Sequence, residues 1–173
     1  RHLNKIQQPL RGWMGHKAPF NFDLHYAASP DIRQFLCGTP PIISMSILNT
    51  ALEIFQGISM EKVRLKAIAL SVLFESLVAS SELLQEMRLF SPAEPSQRGN
   101  QLAYKHPDAY AICQALIAEN VIADFRHPDI LRVGFSPLFL SFTDIAKAVL
   151  VLERLFETKS YLDPLFAKRQ KVT

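Results

Sequence analysis

Three residues stand where their type and spacing could do chemistry. Arg132 lies in ILRVGF (130–135), where Leu131, Val133 and Phe135 alternate with Ile130, Arg132 and Gly134. Successive side chains on a strand point to opposite faces, so Arg132 projects away from the apolar set. An arginine on a half-buried strand beside a glycine offers a planar pair of donors to a carboxylate. The same pattern also fits a sheet-edge arginine with its stem packed and its head in water. Thr39, in GTPPI, opens a predicted helix. Helix N-termini attract phosphate, yet Pro40 and Pro41 carry no N–H. An anion there would depend on the Thr39 hydroxyl and the amides of Ile42 and Ile43, and the same threonine also reads as a plain N-cap. Trp13, the single tryptophan, sits between glycines in GWMGH (12–16), in a segment with too little periodicity for a core element. Its indole N–H is a donor in need of a partner.

Other chemistries find little support. His2, His16, His25, His106 and His127 include no pair at metal-ligand spacing on a predicted helix, so no zinc site is expected. There is no G-x-S-x-G elbow and no phosphate loop of the Walker type. Cys37 and Cys113 are too few and too distant for a disulfide framework or a metal knuckle, and a reduced cytoplasmic setting is the simpler reading. Cys113, on the apolar face of its helix, reads as a core thiol.

The elements that must position these residues fall into three zones. Residues 1 to about 40 are irregular, with Gly12, Gly15, Pro19, Pro30 and Gly38. A domain seldom opens on so long a stretch without its own elements, and the first residue is Arg, so the chain is expected to begin inside something longer. Next, Thr39 as N-cap and Pro40 as first helical residue lead a helix carrying Ile43, Ile47, Ala51, Ile54 and Phe55, stopped by Gly57. A longer helix from Ser59 carries Val63, Ala67, Leu70, Phe74, Leu77 and Val78 on one stripe, and its length suits a connector.

The last zone reads as a small α+β unit with helices on one face of a sheet. MRLFSP and GNQLAYKH are candidate strands. A helix opens at Pro107, with Tyr110, Cys113 and Ile117 on one face, and ends near Asn120, a residue tolerant of the left-handed turn. VIADF and ILRVGF are extended segments on either side of Pro128. The final helix follows Ser141 and Asp144, a capping pair, and carries Ile145, Ala148, Leu152, Leu155 and Phe156.

Composition bounds the class. The 173 residues, 49% hydrophobic and 20% charged, are those of a globular protein rather than a disordered or fibrous one. No apolar run approaches the roughly 20 residues of a membrane span, and the polar first residues, Arg1 to Gln8, do not read as a signal peptide. Lys159, Lys168, Arg169 and Lys171 against Asp163 account for the whole net charge of +3. A neutral body with a basic end is not a nucleic-acid footprint, so neither nucleic acid nor membrane is an expected partner.

The segments PLRGWMGH, CGTPPI, SILNTALEIF, LFSPAEPSQRGNQLAYKHP and ALIAENVIADFRHPDILRVGFSPLFLSFTDI resemble, in this order, the C-terminal part of kynureninases, from about residue 9 to about residue 156. The resemblance implies an α/β protein of the aspartate aminotransferase fold type. Residues 1–58 would be the end of the large cofactor-binding domain, 59–86 a connecting helix, and 87–173 the small α+β domain. It implies a cytoplasmic homodimer with shared active sites that uses pyridoxal 5'-phosphate to hydrolyse L-kynurenine, and in some members 3-hydroxykynurenine, to anthranilate and L-alanine, in tryptophan catabolism and NAD biosynthesis.

By the same resemblance Trp13 and Thr39 contact the cofactor phosphate and Arg132 binds the substrate α-carboxylate. Many relatives have asparagine where Thr39 stands, so a hydroxyl would replace an amide. The Schiff-base lysine of the family lies upstream of residue 1. No catalytic residue is therefore expected in this chain, which by itself should not turn over kynurenine. The alternative is a noncatalytic assembly or binding module that retains the fold. A relative of the cysteine desulfurases is a weaker option, against which RGWMGH and QRGNQLA argue.

Overall fold

The computed structural model describes residues 2–168; the part of the basic tail formed by Arg169 and Lys171 lies outside the described residues. The chain divides into two compact units, Arg1–Gly57 and Ile58–Thr173.

The first unit is built mostly from turns. Short 3-10 helices at Leu3–Lys5, Trp13–Gly15 and Ile32–Phe35 precede one longer helix, α1 (Ile42–Leu52), which passes into a 3-10 turn at Glu53–Phe55. Gly57, at φ +75°, then turns the chain in a conformation open to glycine. An isolated bridge joins His16 to Ala28. The His16 ring is buried: its Nδ1 accepts from the Ala18 amide, which leaves Nε2–H to donate to the His25 carbonyl at 3.3 Å. This histidine is a structural tie.

Helix α1 does not start where Thr39 would cap it. The N-cap is Pro41, whose carbonyl accepts from Met45 N–H at 3.0 Å. The reason lies in the double proline: a residue that precedes proline is pushed out of the helical region, so Pro40 cannot be the first helical residue. Thr39 is left exposed, ahead of the helix.

The second unit holds a four-stranded antiparallel sheet of order β1-β2-β4-β3, from β1 (Arg88–Leu89), β2 (Gln101–Lys105), β3 (Asp124–Arg126) and β4 (Ile130–Gly134). Helices α2 (Met60–Ser80), α3 (Ala109–Ala118) and α4 (Phe142–Thr158) supply the rest of its core, and a short α5 (Pro164–Ala167) follows. Leu102, Tyr104, Leu131 and Val133 from the sheet meet Leu70, Phe74, Ile112, Leu116, Val149 and Leu152 from the helices in one buried cluster. The helices thus cover one face, as the alternating pattern requires. In α2 the buried positions are Ala67, Leu70, Ser71, Phe74 and Val78, the spacing of a helical stripe.

Several boundaries shift for local reasons. Helix α3 begins at Ala109 rather than Pro107, and its buried face is Ala109, Ile112, Cys113 and Leu116, while Ile117 is partly exposed. Asn120 takes the left-handed turn at φ +62°. Strand β3 starts only at Asp124, and the Val121 amide donates instead to the Leu116 carbonyl at the helix end. Helix α4 has the expected capping box, with Ser141 and Asp144 each bonded to the other's backbone.

Two arginines staple the loop before β2. Arg64 donates to the carbonyls of Pro95 and Arg98 and to Asn100 Oδ1. Arg98, almost fully buried, donates to the carbonyls of Pro92 and Ala93 and pairs with Glu75 at 2.6 Å. The arginine of QRGNQLA is therefore a buried structural tie, its charge matched by a carboxylate as burial demands.

Candidate functional site

Trp13 opens a single 3-10 turn, and both flanking glycines have a steric reason to be there. A β-carbon on Gly12 would fall on the Cys37 carbonyl, and one on Gly15 would meet the Gln34 carbonyl at 2.8 Å. The backbone of 34–37 therefore packs directly on the tryptophan turn, a close approach that only glycine permits. Two residues beyond Cys37 the chain reaches Thr39, so Thr39 follows in sequence on the segment that packs against the tryptophan turn. Trp13 itself is half exposed, with Phe20 edge-on at 5.3 Å. Its indole N–H donates to no group among the described residues.

Arg132 belongs to the second unit and stands on β4, an interior strand flanked by β2 and β3. It is not a sheet-edge arginine. Its neighbours Leu131 and Val133 face the core, and its own side chain is 28% exposed on the other face. Ala103 lies across from it on β2, and Gly134 follows two residues on, so small side chains border it.

Facing Arg132 on β3 is Asp124, a residue that motif reading did not single out. Arg132 Nε donates to Asp124 Oδ2 at 2.9 Å and Nη2 donates to the same oxygen. Arg126 Nη2 lies 3.3 Å from that oxygen as well. One carboxylate thus serves two guanidiniums, and the cluster keeps one positive charge in excess. Asp124 and Arg132 are equidistant from Pro128 in the sequence, a mirror relation that hairpin pairing would have revealed.

Of the two thiols, Cys37 is exposed and donates to the Leu10 carbonyl at 3.1 Å. Burial, with the Asp124 carboxylate second, pushes the Cys113 thiol up to about 11. That thiol is neutral and inert at ordinary pH, the behaviour of a core residue. Among the described residues no group of His, Cys, Asp and Glu could hold a metal ion, and no helix is long and apolar enough to cross a membrane.

Comparison with known proteins adds the family. The chain is 43% identical over 173 residues to a kynureninase of Burkholderia mallei (strain SAVP1), covering 100% of this chain and 42% of that protein. The same values hold for a kynureninase of Burkholderia pseudomallei (strain K96243). A kynureninase of Pseudomonas fluorescens is 38% identical over 168 residues, 97% of this chain and 40% of its own length. The chain thus spans about two fifths of the length of these curated relatives. The family model of the kynureninase C-terminal domain matches residues 63–152, a span that contains the antiparallel sheet, Asp124 and Arg132; the chain belongs to that family.

Proposed function

We propose that this chain is the C-terminal part of a pyridoxal 5'-phosphate-dependent kynureninase, which hydrolyses L-kynurenine to anthranilate and L-alanine in the cytoplasm, as a homodimer of the aspartate aminotransferase fold type. The observation that carries the reading is the likeness to kynureninases along the entire chain. In this reading the first unit closes the large cofactor-binding domain, the second is the small domain, and tryptophan catabolism and NAD biosynthesis are the setting.

The residues present fit the cofactor and substrate. Trp13 has an indole N–H without a protein partner among the described residues, held on a turn whose glycines fix the backbone. The uncapped start of α1, with the Ile42 and Ile43 amides, follows closely on Thr39. Trp13 and Thr39 would hold the cofactor phosphate by hydrogen bonds, the charge of the helix end assisting. Arg132 would bind the α-carboxylate, its fork fixing direction as well as position. When bound, the cofactor supplies an electron sink next to the substrate's Cα. The covalent anchor for it is assigned to the part of the relatives that this chain does not match, so the chain alone is inactive in this reading.

Helix α1 fits membership of a larger body. None of its residues is buried within its unit, and Ile42, Ile43, Met45, Ile47, Leu48 and Leu52 are all more than half exposed. Such a surface belongs against further protein, here the remainder of the enzyme or a second copy.

The test is Arg132→Ala in the longer enzyme. KM for L-kynurenine should rise at least about 30-fold, the equivalent of roughly 2 kcal/mol for losing one partner of a charged pair, while the absorbance of bound cofactor stays unchanged. An unchanged KM would overturn the assignment.

A further inference from the structure

We infer that Asp124 is a positioning residue: it holds the Arg132 guanidinium by one edge and presents the other end to the ligand carboxylate. This rests on reading Arg132 as the carboxylate clamp.

The geometry is specific about which donors are used. A guanidinium has five N–H groups. Asp124 takes Nε–H and one hydrogen of Nη2, both through Oδ2. Nη1 has no partner among the described residues. The outer end, with one N–H from Nη1 and one from Nη2, is therefore left as a parallel pair, the arrangement a carboxylate accepts in bidentate fashion. Asp124 engages the edge that such a ligand does not need.

Strand pairing makes the placement rigid. Asp124 and Arg132 are direct partners in the register between β3 and β4, so both side chains rise from the same face of the sheet. A free arginine side chain samples many rotamers, and fixing it before the ligand arrives removes part of that entropic cost from binding. Charge is conserved for the ligand as well. Were Asp124 paired with Arg132 alone, the site would be neutral. With Arg126 at 3.3 Å on the same oxygen, two cations share one anion and an incoming carboxylate still meets net positive charge.

The test uses the longer enzyme with its cofactor and reads discrimination between L-alanine and L-alaninamide as competitive inhibitors, alongside KM and kcat for L-kynurenine. Asp124→Ala should reduce the preference for the carboxylate about 10-fold or more, as expected for a misplaced binding group, and raise KM more than it lowers kcat. Cofactor absorbance and thermal midpoint should stay near wild type. Asp124→Asn keeps size and one acceptor oxygen, so it should fall between the two even if the alanine variant folds poorly. If Arg132→Ala abolishes discrimination while both Asp124 variants keep the wild-type preference, the inference is overturned and the clamp stands. If Arg132→Ala also keeps it, the clamp reading is overturned and the inference with it.

Discussion

The carbonyl of Cys37 occupies the space that a side chain on Gly12 would need, so the tryptophan turn and the strand of chain leading to Thr39 are fitted to each other through a missing β-carbon. Gly12→Ala must therefore displace backbone rather than a flexible side chain. The expected cost is about 1–3 kcal/mol or more, the range for forcing extra volume into a packed site. A shift in Trp13 emission with the second unit still folded is the result to look for, and wild-type emission and stability would refute the fit.

Thr39 gives a contrasting case. Because Pro41 is the N-cap of α1, the Thr39 hydroxyl does not cap the helix. Thr39→Ala should change stability by less than about 0.5 kcal/mol, as at an ordinary exposed position. In the longer enzyme its affinity for pyridoxal 5'-phosphate should nonetheless fall. A loss of about 1 kcal/mol in stability, the size of a lost cap, with unchanged cofactor affinity would reverse the assignment.

The thiols should separate by reactivity and by pH. In the native protein Cys37 is expected to react with a thiol reagent at pH 8, and Cys113 only after unfolding. Burial raises the folded Cys113 thiol from its ordinary value of 9.0 to about 11. A raised acid favours the folded state fully below pH 9 and loses that contribution as pH climbs toward 11. Thermal midpoints followed over this window should fall more steeply for wild type than for Cys113→Ala. Parallel curves would show that the thiol carries no such linkage.

Helix α4 depends on its first turn. Ser141→Ala removes the cap and should cost about 1 kcal/mol in a denaturant titration. The Ser141 hydroxyl and then its backbone N–H hold the Asp144 carboxyl below its ordinary value of 3.8. A depressed acid stabilises the fold above its unfolded pKa and loses that contribution as pH falls through the folded one. The acid side of the stability curve should therefore flatten in Ser141→Ala; an unaltered acid limb would mean that the capping box is not formed in solution.

Local rules reached these elements unevenly. Ser141 and Asp144 announce α4 because cap and stripe lie within a few residues of each other, so periodicity and capping agree. The face chosen by Arg132 was also legible, since alternation alone decides it. Its place on an interior strand was not, because strand order depends on which distant segments pair. Asp124 went unnoticed for the same reason: its meaning lies in register with Arg132 and not in its own neighbours. At Thr39 two local signals conflicted, and the steric demand of Pro41 on Pro40 overruled the capping preference.

The two units differ in one respect that makes them separately observable. Every buried apolar side chain of the core cluster belongs to Ile58–Thr173, whereas the single tryptophan belongs to Arg1–Gly57. The heat-capacity change of unfolding follows apolar surface exposed to water, so the larger part of that change comes from the melting of the second unit. Indole fluorescence reports on the first. One unlabelled sample thus carries a spectroscopic clock for one half of the molecule and a thermal one for the other, and any interval between the two signals measures how independently the halves come apart.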